Sequence, residues 1–133
     1  MRILIVEDDF TSRRLMQKLL ESVGECELAV NGREALDAFE AAHRDGRPYR
    51  LICLDIMMPE MDGQDVLKVM RRREAELGVA PRNEARIIMT TALDQPRDVV
   101  EAFYRGGCTD YLVKPIDKKI LLGKLRECKV LSA

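Results

Sequence analysis

Long apolar runs are missing from this chain of 133 residues. The longest, Ile3 to Val6 and Leu51 to Leu54, fall far short of the roughly twenty residues that a bilayer span needs, which excludes a membrane helix. An excess of one charge is missing too. The 22 basic side chains balance 23 acidic ones, so a cationic nucleic-acid binder is excluded, and 47% apolar residues exclude a disordered chain. A single histidine, His43, leaves nothing for a catalytic triad; set on a polar helix surface, it reads as solvated. Cys26, Cys53, Cys108 and Cys128 form no CxxC pair, which suits free thiols in a reducing compartment. The first residues do not read as a secretory signal, because Arg2 is followed by only a short apolar run before Glu7, Asp8 and Asp9. The expected location is the cytoplasm. No repeat, low-complexity stretch or linker divides the chain, and its length is usual for one core.

What is present is an alternation. Apolar runs at 2–6, 50–54, 86–90 and 109–113 read as strands, joined by a weaker one at 25–30 where Cys26, Leu28 and Val30 alternate with polar residues. Their near-continuous apolar character implies cover on both faces, hence a parallel sheet. Helical spacing lies between them: Leu15, Met16, Leu19, Leu20 and Val23; Ala35, Leu36, Phe39 and Ala42; Val66, Leu67 and Met70; Val99, Val100 and Phe103; Ile120, Leu121, Leu125 and Cys128. Gly24, Asn31 with Gly32, and Gly106 with Gly107 mark stops and turns. Five βα units with right-handed crossovers give an α/β, flavodoxin-like, doubly wound five-stranded parallel sheet in the order 2-1-3-4-5, with five helices. The charged stretch from Glu74 to Glu84 reads as a frayed helix end and an exposed loop, and the basic run Arg71 to Arg73 as a solvated helix face.

The acids fall where this topology gathers them. Glu7, Asp8 and Asp9 follow the first strand and Asp55 the third, so the strand order brings them together at the switch point, beyond the carboxyl ends where ligands bind. Like charges so close repel unless a cation or lysine compensates them, and oxygen ligands favour a hard ion such as Mg2+. Thr90 and Thr91 close the fourth strand and Lys114 the fifth, adding a hydroxyl and an ammonium suited to phosphoryl oxygens. Pro115 follows Lys114, and a cis bond there would fix where the lysine points.

At this point the residues match a family. Ile3 to Asp9 (ILIVEDD), Asp55 to Gly63 (DIMMPEMDG), Thr91 with Ala92, and Val113 with Lys114 and Pro115 together resemble the receiver domain of two-component response regulators, in the manner of the single-domain chemotaxis regulators, over essentially the whole chain. The resemblance implies a phosphoacceptor, not an enzyme. Asp55 would take a phosphoryl group from a phosphohistidine on a sensor histidine kinase or histidine phosphotransferase. It implies Mg2+ held by Asp8 directly, by Glu7 through a water, by Asp55 and by the backbone carbonyl of Met57. Thr91, next to Ala92, would be the switch hydroxyl, Lys114 the phosphoryl partner, and Tyr111 the aromatic that turns inward, changing the face made by the fourth helix, fifth strand and fifth helix. Asp9 is an acid that the family does not require.

Residues 1–129 are expected to form the receiver domain, with 130–133 a short tail. Only five residues follow Cys128, so the expected output is a downstream effector protein bound in trans, with no direct nucleic-acid contact, by a monomer or a phosphorylation-dependent homodimer. Three rival classes share parts of this pattern. A phosphatase of the haloacid-dehalogenase type needs a second Asp two residues after its nucleophile, where this chain has Met57. A flavin-nucleotide module needs amides and hydroxyls after the first strand, where this chain has acids. A non-phosphorylated interaction domain would carry the acids without binding magnesium. Apolar Met57 and Leu93, two residues after Asp55 and Thr91, imply poor water access and a phosphorylated form lasting minutes or longer.

Overall fold

A computed structural model describes residues 1–91 and 107–131. Strands β1 (Arg2–Val6), β2 (Glu25–Ala29), β3 (Leu51–Asp55), β4 (Arg86–Thr91) and β5 (Asp110–Val113) form one parallel sheet in the order β2-β1-β3-β4-β5. Four α-helices are described: α1 (Phe10–Leu20), α2 (Gly32–Arg44), α3 (Gly63–Glu76) and α4 (Lys118–Glu127). The last is the fifth helix expected from sequence; the segment with Val99, Val100 and Phe103 lies outside the described residues.

Alternation along the central strands divides the core. From β1, Leu4 and Val6 enter a cluster with Phe39 of α2 and Val66, Leu67 and Met70 of α3. Ile3 and Ile5 enter a second cluster with Met16 and Leu20 of α1 and Leu121 and Leu125 of α4. Both faces of β1 and β3 are therefore dry, which is why these strands read as unbroken apolar runs. Val130 and Leu131 pack against the second cluster, their N–H groups donating to the Leu125 carbonyl at 2.8 and 3.1 Å.

Each of the four described α-helices starts on an acid or amide cap. Asp9, Asn31, Asp62 and Asp117 accept from the N–H groups of Ser12, Glu34, Asp65 and Ile120 at 2.8, 2.8, 3.0 and 3.1 Å, satisfying donors that the first helical turn leaves open. The caps fix where each loop at the carboxyl edge ends, and so fix the rim of the site.

Three expectations are corrected. Arg71 is not on a solvated face: its side chain is 17% exposed, and it donates to Glu74 at 2.7 Å, the Ala85 carbonyl at 2.9 Å and the Gly107 carbonyl at 2.8 Å. Arg73 pairs with Glu40 of α2 at 2.7 Å. The stretch after Glu74 is not frayed, since α3 runs through Glu76 with Glu74 buried and accepting from the Ala85 N–H at 2.8 Å, and Pro81–Asn83 form a 3-10 turn. His43 is partly buried, edge-on to Phe39 with ring centroids 4.7 Å apart. Charge alone marks such residues as exposed in a sequence; their buried partners come from other elements.

Candidate functional site

The site grows out of the parallel pairing of β1 and β3. Val6 lies opposite Leu54, so Glu7 and Asp55, one step further on, emerge side by side from strands about 4.8 Å apart. Each is 3% exposed, whereas Asp8 is exposed. Glu7, Asp8 and Asp55 each offer a carboxylate oxygen, and the three lie within 4.8 Å of one another. From β5, Lys114 reaches in: its Nζ bonds Glu7 Oε1 and lies 3.6 Å from Asp55 Oδ2. The Lys114–Pro115 bond is cis.

Backbone donors hold the acids in place. Asp55 Oδ1 accepts from the Met57 N–H at 3.2 Å, and Glu7 Oε2 from the Asp9 N–H at 3.2 Å. The Lys114 N–H donates to the Thr91 carbonyl at 2.7 Å, tying the end of β4 to the lysine. Gly63, at the start of α3, presses on the phosphoacceptor candidate: a Cβ there would stand 2.2 Å from the Asp55 carbonyl oxygen. No other residue type allows so close an approach.

The electrostatics follow from two buried acids sharing one lysine. Burial, and then the hydrogen bond and charge of Glu7, push the Asp55 carboxyl up to about 7 against the pull of Lys114 and the Met57 N–H. Burial acts on Glu7 in the same direction but is outweighed by its hydrogen bonds to Asp55, Lys114 and the Asp9 N–H, so its carboxyl stays below the ordinary range. Burial likewise lowers Lys114, but its contacts with Glu7 and Asp55 win and raise it. One ammonium cannot neutralise three carboxylates, and an all-oxygen donor set within this spacing suits a hard divalent cation.

Beside the acids opens a cavity of about 330 Å³, lined by Glu7, Thr90 and Lys114 with Thr11, Leu15 and Ile116. Thr90, not Thr91, lines it. Thr91 is buried at the end of β4, one residue along the strand, while Ala92 and Leu93 lie outside the described residues. The Met57 side chain is 57% exposed, so it does not by itself shield Asp55 from water. Tyr111 packs partly against the α2–α3 cluster, with Lys124 Nζ 5.1 Å from its ring centroid and bonded to Asp110 at 2.8 Å.

Two residues have roles that sequence reasoning missed. Asp9, the supernumerary acid, is the cap of α1, a signal available in the spacing of an acid before a helix. Arg13 donates through one guanidinium nitrogen to the carbonyls of Glu7 at 2.9 Å and Asp8 at 3.3 Å, and nothing in the pattern of charges announces that.

Comparison with known proteins gives the same answer from a different direction. A model of the response regulator receiver domain matches residues 3–126. The transcriptional regulatory protein PcoR of Escherichia coli is 37% identical over 126 residues, covering 94% of this chain and 50% of that protein. The probable transcriptional regulator ycf27 of Cyanophora paradoxa is 33% identical, covering 94% and 46%. The chain thus spans about half the length of these curated relatives. Among solved structures, the chemotaxis protein CheY4 of Vibrio cholerae superposes with a TM-score of 0.76 at 30% identity, covering 98% of each chain. The receiver domain of Saccharomyces cerevisiae Ssk1, solved with the histidine phosphotransfer protein Ypd1, gives a TM-score of 0.81 at 27% identity, covering 99% of this chain and 92% of that one. Motifs, strand order and these likenesses agree, and the chain belongs to the response regulator receiver domain family of two-component regulatory systems.

Proposed function

We propose that this chain is a phosphoacceptor: Asp55 takes a phosphoryl group from a phosphohistidine on a histidine kinase or histidine phosphotransfer protein, with Mg2+ as cofactor. The observation that carries the reading is the convergence of Glu7, Asp8 and Asp55 within 4.8 Å, with Lys114 beside them. Glu7, Asp8, Asp55 and the Met57 carbonyl would hold the cation. When bound, it supplies the positive charge that keeps Asp55 ionised and offsets the charge of the arriving phosphoryl oxygens.

The remaining chemistry belongs to the chain. An Asp55 Oδ lone pair forms the new P–O bond, the P–N bond breaks, and its electron pair leaves with the imidazole nitrogen of the donor. The transition state is loose, so positioning and charge matter more than proton transfer. Lys114 moves its charge from Glu7 toward the phosphoryl oxygens, and the Met57 N–H holds Asp55 Oδ1. Thr91 donates its hydroxyl to the same group, and Tyr111 follows it inward, altering the surface around β5 that an effector reads. The Ssk1–Ypd1 complex supports a phosphotransfer donor, and so does the likeness, 33% identical over 121 residues, to the sensor histidine kinase GacS of Pseudomonas protegens. Exposed Met57 stands where a phosphatase of the haloacid-dehalogenase type needs its second Asp, which disfavours rapid turnover.

The test is intact-mass spectrometry after incubation with acetyl phosphate or phosphoramidate and Mg2+. The parent chain should gain one phosphoryl group, lost on adding alkali or hydroxylamine, and Asp55→Asn should gain none. Equal labelling of the two chains would refute the assignment.

A further inference from the structure

The acids of the pocket need their backbone held as well as their charge balanced. Asp8 is exposed, and its carboxylate reaches the cluster from the turn between β1 and α1, where the chain has left the sheet ladder. The Glu7 N–H still donates to the Ala29 carbonyl of β2 at 3.1 Å, but beyond it the turn relies on its own contacts. Two of them are caps of the turn on itself, Asp9 N–H to Glu7 Oε2 and Ser12 N–H to Asp9 Oδ2. The third comes from Arg13, on the first turns of α1. One guanidinium nitrogen bridges two consecutive carbonyls, those of Glu7 and Asp8, while the guanidinium lies 5.6 Å from the Phe10 ring centroid, against a side chain that is itself 65% exposed.

We propose that Arg13 is a positioning residue of the acidic pocket: by bridging the Glu7 and Asp8 carbonyls it fixes the peptide that aims both carboxylates at the cation. The inference rests on the reading of Glu7 and Asp8 as cation ligands. Outer contacts that orient metal ligands are worth about 10–100-fold in affinity. Arg13 also carries a positive charge beside a cation site, and that charge alone acts in the opposite direction. Removing it would tighten cation binding if Arg13 acted only through its field, and weaken binding if it acts by holding the turn. The sign of the change therefore separates the two.

The experiment is Mn2+ binding by electron paramagnetic resonance, with Mg2+ competition, on the full chain and on Arg13→Ala, Arg13→Lys and Arg14→Ala, each with a thermal melt in EDTA. Arg14 is exposed and reports the loss of a nearby charge without the carbonyl contacts. Arg13→Ala should bind Mn2+ about tenfold more weakly, Arg13→Lys should recover most of the loss, and Arg14→Ala should bind no more weakly than the parent. Should Arg13→Ala not fold, Arg13→Gln, whose amide is too short to reach both carbonyls, takes its place. Binding by the truncated variant that equals or exceeds the parent's overturns the positioning role and leaves the phosphoacceptor reading intact. A parent chain that binds no Mn2+ overturns both.

Discussion

Asp55→Asn removes one of two buried carboxylates that face each other, and its effect on stability can be worked from the electrostatics of the pocket. The Asp55 carboxyl stands at about 7 against an ordinary 3.8, chiefly through burial and then through Glu7. The folded chain therefore holds that proton more tightly than the unfolded one. Stability from this group is complete below about pH 4, is lost as the pH rises toward 7, and by pH 8 the loss approaches 4 kcal/mol at 1.36 kcal/mol per unit. Glu7, held below its ordinary value, contributes with the opposite sign, so about 4 kcal/mol is the upper bound of the net cost. Asparagine keeps the oxygen that accepts the Met57 N–H and sheds the charge. In EDTA at pH 8 the variant should melt above the parent, by at most about 14 °C, taking about 3–4 °C per kcal/mol for a chain of this size. The gain should be smaller at pH 5, and saturating Mg2+ should narrow it by stabilising the parent. Circular dichroism melts across that pH range, with and without the ion, are the assay. A variant no more stable than the parent at pH 8, or a gain that does not shrink on acidification, would refute the charge argument.

Further outcomes concern the frame around the pocket. Arg71→Met leaves the Glu74 carboxylate, 2% exposed, without its cation; breaking such a pair costs about 3–5 kcal/mol, readable as a fall in the calorimetric melting temperature of about 10–18 °C. A fall of only a degree or two would mean that the network is marginal. Gly63→Ala puts a methyl 2.2 Å from the Asp55 carbonyl oxygen, which should cost about 1–3 kcal/mol and slow labelling of Asp55 by acetyl phosphate; unchanged labelling kinetics would contradict the close-packing argument. Burial pushes the Cys53 and Cys108 thiols up to about 12 and about 11, so iodoacetamide at pH 8 should modify partly exposed Cys26 and Cys128 first. Prompt loss of all four thiols in the native protein would show that the core opens readily.

The sheet was legible because its central strands β1, β3 and β4 are buried on both faces and its helices on one, so apolar periodicity there maps onto burial almost residue by residue. Asp55, Glu7, Asp8 and Lys114 were legible for a related reason: parallel strands deliver the residues at their carboxyl ends to one edge. What escaped was every charged side chain whose partner is a backbone carbonyl brought in by another segment. Arg71 finds Ala85 and Gly107, 14 and 36 positions away, and in a run of three arginines nothing distinguishes it from Arg72. The pair Thr90 and Thr91 shows a finer limit. Adjacent positions on a strand point to opposite sides, and Thr90 lines the cavity while the family motif selects Thr91. Asp9 looked like one more member of the acidic group, yet its oxygen is engaged by the Ser12 N–H.

Because Glu7 and Asp55 lie side by side, one step beyond the Val6–Leu54 rung that ends the β1–β3 ladder, their separation is set chiefly by sheet geometry. Helix faces and loops that do not touch the pocket can vary without disturbing that spacing. Surface recognition can thus be rewritten on faces remote from that edge while the reactive centre is inherited unaltered, which makes this architecture a natural chassis for rewiring one partner pair into another.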